Sequence, residues 1–433
     1  MRRRAGVVSR RAWLRALAGS AVTSAGMLGA GGAGRALAES FCHDEAGAAP
    51  AVAEGPVPLG KISRRVAWGI KLENPGTYDA ELIGAIAVEE PRFLVIGSAL
   101  KFGNLHPLSM SFEGKFDGKP YRTWDECDDI VGIAKRLDIP LRGDCLAWND
   151  WQPDWLKEIA RKQAAGWREL LQQYYERHFE SVFAHFAELE RSAGRKLVRW
   201  CGLVNEPLDP WAASFGRPAW RKGAWLDAFG LAADGVPAYI HQAFELGRRF
   251  AGSADIAFFL NETNCDNDRF GPIVRPAMLD LVDALRRSGR KLDAVGLECH
   301  LMPQWMKDAK RPDWRPFTAF LKELAARGVA IYLTELDVND CSLRDMAERD
   351  NEVAEYTRSL VAAALEVPAV TMVSDWDLSD KYSWLRGDEV YPALPRWASC
   401  VTRPPCPRPV LYDEAMRPKA ARRGLAEALA TAR

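Results

Sequence analysis

Short apolar runs recur along the chain at Val66–Leu72, Phe93–Ser98, Pro140–Trp148, Leu197–Asn205, Ile256–Asn261, Ala294–His300, Ala330–Leu336 and Val370–Trp376. Runs of this kind suit strands buried on both faces, the condition of a parallel sheet covered by helices. Between most of them lie stretches of helical periodicity, at Trp167–Arg191, Val236–Phe250, Pro276–Arg287, Arg315–Arg327 and Asp350–Leu365. Strand-like runs alternating with helices predict an α/β fold, a closed (β/α)8 TIM barrel. An open doubly wound sheet would ordinarily carry a glycine-rich phosphate loop after its first strand, and neither G-x-G-x-x-G nor G-x-x-x-x-G-K-S/T occurs.

Several runs end in polar or ionisable residues where the strand should stop: Trp148-Asn149-Asp150, Asn205-Glu206, Asn261-Glu262, Glu298-Cys299-His300, Glu335 and Asp375-Trp376-Asp377. In a barrel those ends converge on one face, where catalytic groups sit. Glu206 and Glu335 follow the fourth and seventh runs and make the best pair of carboxylates. Glycosidic hydrolysis needs such a pair, one carboxyl to protonate the leaving oxygen and another to meet the oxocarbenium charge. Any single glutamate at a strand end is more often a solvated loop carboxylate, and the pairing is what turns the argument towards chemistry.

Composition limits the partners. Lys plus Arg and Asp plus Glu both number 58, so no net field draws the chain to nucleic acid or an anionic bilayer, and a neutral substrate fits. The six histidines show no H-x-x-x-H spacing and no C-x-x-C pair occurs, which argues against a dedicated metal site or cofactor. Residues 1–38 read as a targeting segment in which Ser9-Arg10-Arg11-Ala12-Trp13-Leu14-Arg15 is similar to the twin-arginine export signal. Residues 39–65 are Ala/Gly/Pro-rich and read as a flexible lead-in. No later run is long and apolar enough to span a membrane, so the expectation is a monomer, periplasmic or secreted, with no membrane insertion after signal removal. All nine cysteines follow that segment; Cys400 and Cys406 could bridge in an oxidising compartment, and most of the rest suit buried thiols.

The strand-four and strand-seven segments resemble those of glycoside hydrolase family 10, the endo-β-1,4-xylanases. Leu203-Val204-Asn205-Glu206 is similar to the family's acid/base segment, and Leu333-Thr334-Glu335-Leu336-Asp337-Val338 to its nucleophile segment. Trp376-Asp377-Leu378-Ser379-Asp380-Lys381-Tyr382-Ser383-Trp384-Leu385 resembles a third block, and further matches run from Lys101 to Leu411-Tyr412-Asp413-Glu414 in the family's order. The resemblance implies one catalytic barrel over residues 66–425 and a retaining double displacement on a polysaccharide, with Glu335 as nucleophile and Glu206 as acid/base. It further implies sugar contacts at Lys101, Asn149, Asn205, Asn261, Glu298, His300, Trp376 and Trp384, with His300 donating to Glu335. Trp148 and Trp155 are expected to pack beneath the site, and Asp337 and Asp380 to act as acceptors behind it.

The resemblance breaks on the side that would hold the non-reducing part of the glycan. The family's Glu-Asn-x-Met-Lys-Trp block reads Gly97-Ser98-Ala99-Leu100-Lys101-Phe102, and its two histidines after strand three become Asp144 and Asn149. Its following glutamine aligns with Trp151, and the glutamine before the strand-six histidine becomes Glu298. Xylan leads as substrate; a bacterial exopolysaccharide or β-glucan is the alternative, and a non-hydrolytic glycan-binding barrel the third reading.

Overall fold

The computed structural model describes residues 56–116, 119–252, 255–340, 345–389 and 407–432. The targeting segment, Cys42 and the proposed Cys400–Cys406 bridge lie outside the described residues. Twelve strands are present among them: β1 (Ala67–Leu72), β2 (Phe93–Ile96), β3 (Glu113–Phe116), β4 (Lys119–Arg122), β5 (Leu141–Gly143), β6 (Val198–Asn205), β7 (Leu208–Ser214), β8 (Arg217–Trp220), β9 (Ala257–Glu262), β10 (Ala294–Leu301), β11 (Ala330–Val338) and β12 (Val370–Asp375). Eight of them close a barrel in the order β1-β12-β11-β10-β9-β6-β5-β2, and every pairing within it is parallel. The (β/α)8 expectation holds. Each of the eight expected runs contains the body of one barrel strand. The third is the poorest match, because the chain leaves the sheet at Gly143 rather than continuing to Trp148.

Two antiparallel hairpins, β3–β4 and β7–β8, are additions the apolar pattern did not reveal. Their sequences lack the continuous apolar character that marks the barrel strands. The second interrupts the chain directly after the fourth barrel strand and so stands beside Glu206.

The apolar surface divides as the fold demands. Most buried side chains lie between the barrel and its helices, while Phe93, Val95, Phe259, Ala294, Tyr332, Met372 and Trp376 form a separate cluster inside the barrel. Arg142 stands in that interior with no exposed surface, its guanidinium 5.8 Å from the Phe93 ring and 5.7 Å from the Phe259 ring. It bonds Asp144 Oδ2 at 2.8 Å, Ser374 Oγ at 3.0 Å and the Thr334 carbonyl at 3.0 Å, so its buried charge is paired and hydrogen-bonded. Two glycines make room for polar groups there. A Cβ on Gly202 would lie 2.2 Å from Asp144 Oδ1, and one on Gly296 would lie 2.3 Å from Asn261 Oδ1.

The segments before the first and after the last barrel strand are tied together. Arg422, on the last helix (Ala420–Ala430), bonds Glu89 Oε2 at 2.9 Å, and the same oxygen accepts from the Leu59 backbone N–H at 2.9 Å. Residues 59–62, expected within the flexible lead-in, therefore form a docked helical turn with Leu59 buried. No helix of the described residues is long and apolar enough to cross a membrane.

Candidate active site

Glu335 and Glu206 both stand at the C-terminal rim of the barrel. Glu335 lies within β11, which pairs with β10 and places it opposite Glu298. Its Oε1 accepts from Asn261 Nδ2 at 3.0 Å, and its Oε2 faces His300 Nε2 at 3.2 Å. The other His300 nitrogen meets Asp337 Oδ1 at 2.9 Å, and Trp384 Nε1 donates to Asp337 Oδ2 at 2.6 Å. Burial opposes a charge on His300, but Asp337 and then Glu335 outweigh it and hold the ring's pKa well above that of an ordinary histidine. The imidazolium so formed donates from both nitrogens. Glu335 is thereby fixed in place as an acceptor.

Glu206 follows β6 with φ of 42°, in the left-handed region that non-glycine residues rarely occupy. Strain of this kind persists where surrounding bonds hold it. The Glu206 N–H donates to the Asn261 carbonyl at 2.9 Å, and the Glu206 carbonyl accepts from Arg221 Nε at 2.7 Å. Its carboxylate Oε2 lies 2.7 Å from Arg221 Nη2, while Oε1 has Asn205 Nδ2 at 3.4 Å. Burial raises the Glu206 pKa, Arg221 opposes the shift, and Asp150 and Glu335 reinforce it, so the net direction is upward. A carboxyl kept protonated to higher pH is what a general acid needs.

Two amides join the carboxylates. Asn261 Nδ2 reaches Asn205 Oδ1 at 2.8 Å as well as Glu335, and Asn205 Nδ2 faces Glu206. A further oxygen, Glu298 Oε1, lies 2.9 Å from the same Asn261 nitrogen. Burial, then the charges of Glu335 and Glu206, push Glu298 well above the carboxylate range, so it stands as a neutral acid where an amide would serve equally.

On the other side of the mouth, Lys71 Nζ lies 2.7 Å from Glu73, 3.0 Å from Asp377 and 5.0 Å from the Trp376 ring centroid. Burial works against the Glu73 charge, but Lys71 and Lys101 overcome it and hold its pKa at about 2. Asp377 has φ of 94°, in a region that side-chain-bearing residues rarely adopt, and is buried beside Lys71. Trp148 and Trp151 run parallel, 6.1 Å apart, with Lys101 Nζ 4.8 Å from one ring and 5.1 Å from the other. Trp148 is half-buried, with its ring beside Lys101. Trp155 is half-buried too, and its Nε1 donates to the His106 carbonyl at 2.8 Å.

The rim thus gathers Glu206, Glu335, Asn205, Glu298, His300, Trp376 and Trp384, with Lys101 across the mouth. Two expected sugar contacts are corrected. Asn261 has no exposed surface and acts on Glu335 and Asn205 from behind. Asn149 is buried, its Oδ1 accepting from the Trp225 N–H at 3.2 Å and its Nδ2 donating to the Arg221 carbonyl at 3.1 Å. It lies beyond the early end of β5 and holds the loop instead. Asp380 bonds Lys419 at 2.8 Å and belongs to the closure of the chain's end. Arg221, Lys71 and Glu73 were not singled out in the sequence, whereas Asp377 was, as one of the polar residues that end the eighth run.

Two trios among the described residues bring possible metal ligands within 4.8 Å of one another: Glu298, His300 and Glu335, and Cys127, Asp128 and His185. In the first, His300 commits both nitrogens to carboxylates. In the second, burial pushes the Cys127 thiol far above its ordinary range and keeps it a poor ligand.

The sequence model described as Glycosyl hydrolase family 10 matches residues 69–428. An endo-1,4-beta-xylanase A of Thermoanaerobacterium saccharolyticum is 27% identical over 73% of this chain, which spans 24% of that protein. An exoglucanase of Acetivibrio thermocellus is also 27% identical over 73% of the chain, which spans 26% of it. The thermostable celloxylanase of Thermoclostridium stercorarium is 26% identical over 72% of this chain and 76% of its own length. The chain thus spans about a quarter of the length of the first two relatives. Among solved structures, xylanase B from Clostridium stercorarium F9 superposes with a TM-score of 0.66 at 24% identity, over 86% of this chain and 99% of that one. Xylanase 10B from Thermotoga petrophila, solved with xylobiose, has a TM-score of 0.66 at 19% identity over 88% and 98%. At these identities the structures speak to the fold.

Proposed function

The chain belongs to glycosyl hydrolase family 10, and from that premise we propose that it is a retaining glycosidase cleaving a β-1,4-linked polysaccharide, xylan first among the candidates. The observation that carries this reading is the network in which Asn205 and Asn261 join Glu206 to Glu335 while His300 braces Glu335. It supplies one carboxyl biased towards its acid form and one held as an acceptor.

In the first step a Glu335 oxygen forms a bond to the anomeric carbon as the bond to the leaving oxygen breaks, and the Glu206 proton passes to that oxygen. In the second, Glu206 takes a proton from water as the water oxygen bonds to the anomeric carbon and the ester to Glu335 breaks. Trp376 and Trp384 offer aromatic faces beside His300, with ring centroids 6.0 Å and 4.8 Å from its own.

Asp144, Trp151 and Glu298 favour a second reading, in which the substrate is a β-glucan or a bacterial exopolysaccharide. Burial lifts Asp144 to about 6, so this position donates or accepts according to pH. An exoglucanase among the relatives supports widening the substrate range beyond xylan. Export through the twin-arginine route, from Arg10 and Arg11, completes the proposal.

The test is reducing-sugar release from xylan, β-glucans and the host's exopolysaccharide by the purified protein, with Glu335→Gln as control. Release by the wild type alone supports the hydrolase, and the preferred glycan identifies the substrate. Equal release by both proteins on every glycan overturns the reading.

A further inference from the structure

Resting on that hydrolase reading, we propose that Arg221 is the positioning residue of the acid/base group, fixing Glu206 Oε2 so that Oε1 alone delivers the proton and takes it back. Arg221 follows directly on β8, at the foot of the β7–β8 hairpin, and its guanidinium makes four bonds. Nε donates to the Glu206 carbonyl at 2.7 Å, Nη2 to the Glu206 Oε2 carboxylate oxygen at 2.7 Å and to the Leu208 carbonyl at 3.1 Å, and Nη1 to Asp150 Oδ2 at 2.6 Å. Its own N–H donates to the Pro207 carbonyl at 2.8 Å. The acid/base residue is therefore gripped by backbone and side chain together, at a strand end where its backbone is strained.

A guanidinium has five donors and no acceptor. A proton on Oε2 would point at an N–H, so the transferable proton belongs on Oε1, whose nearest partner is Asn205 Nδ2 at the long distance of 3.4 Å. When Oε1 gives its proton to the leaving sugar, the negative charge that develops is shared with Oε2 and met by Arg221 at once. Such a charge-assisted bond strengthens in the step that needs it. The benefit is largest for leaving groups that require full protonation, which are sugars rather than activated aryl groups.

The other charged groups around Glu206 come from each neighbouring element: Asp150 from the loop after β5, Glu262 from β9, Glu298 and His300 from β10, and Glu335 from β11. Arg221 and His300 favour its ionised form, and the carboxylates oppose it. Arg221 and Asp150 form a pair of opposite sign acting on one carboxyl.

The experiment measures kcat/KM against pH for Arg221→Met, Arg221→Lys and Asp150→Asn, on an unactivated β-1,4-oligosaccharide and on a dinitrophenyl β-glycoside. Arg221→Met should move the basic limb up by about one pH unit and lower activity on the oligosaccharide about tenfold more than on the dinitrophenyl substrate. Arg221→Lys should keep the limb near the wild-type position while still losing rate on the oligosaccharide, because one ammonium cannot replace the guanidinium's grip. Asp150→Asn should move the limb down. An unmoved limb in Arg221→Met, or equal losses on both substrates, overturns the proposal. Should Arg221→Met fail to fold, Asp150→Asn decides: a downward shift supports the assignment and no shift overturns it. A wild type inactive on every glycan and glycoside would instead refute the hydrolase reading itself.

Discussion

His300 Nε2 stands 3.2 Å from Glu335 Oε2 while Asp337 takes the opposite ring nitrogen at 2.9 Å, so the histidine bridges the nucleophile and a second carboxylate, which together raise its pKa. A hydrogen bond to a charged group is worth about 1.5–3 kcal/mol, and removing the donor leaves Glu335 with Asn261 alone. His300→Leu should accordingly lower kcat/KM by about 10- to 150-fold with the fold intact. Steady-state kinetics with circular dichroism checks this; an unchanged rate would remove His300 from the mechanism.

Glu206→Ala removes the proton donor but leaves the nucleophile braced as before. Activity on natural glycans should fall by about 10²- to 10⁴-fold, and formation of the glycosyl-enzyme from dinitrophenyl glycosides should survive. Pre-steady-state burst measurements separate the two steps. Equal loss on both substrates would argue against the acid role.

Glu298 is held as a neutral acid beside Asn261, so an amide of the same shape should replace it with little cost. Glu298→Gln is expected to keep kcat/KM within about threefold of wild type at mildly acidic pH, whereas Glu298→Ala leaves a void and loses more. Kinetics of the pair distinguish a shape role from a need for the carboxylate itself.

Burial lifts Asp266 to about 7, and its Oδ2 has no hydrogen-bond partner among the described residues. The folded state therefore binds this proton more tightly than the unfolded chain. The stability it contributes is full below the ordinary aspartate range and is lost as pH rises through about 7. Thermal unfolding of Asp266→Asn should show a smaller decline from acidic to neutral pH than the wild type. Parallel curves for the two proteins would contradict the assignment.

The barrel was legible because its strands are buried on both faces and read as unbroken apolar runs, which few other arrangements demand. The carboxylate pair was legible because the polar residue ending such a run must emerge at the rim. The β7–β8 hairpin was not: residues such as Trp211 and Phe215 are exposed, and their pattern matches neither a core strand nor a helix. Arg221 was missed for the same reason, since its role comes from where the hairpin returns the chain. Asn149 was misplaced because β5 ends at Gly143, turning a supposed strand terminus into a buried loop residue. Lys71 hid inside an apparently apolar first strand with Glu73 just beyond it, and Lys71 is buried there between Glu73 at 2.7 Å and Asp377 at 3.0 Å.

The most direct measurement is mass spectrometry of the protein after incubation with a dinitrophenyl 2-deoxy-2-fluoro-β-glycoside of the preferred sugar, which slows hydrolysis of the glycosyl ester more than its formation. The account predicts one added glycosyl mass, carried by the peptide that contains Glu335 and absent in Glu335→Gln. Attachment at Glu206, or substrate turnover with no ester formed in either protein, would contradict it.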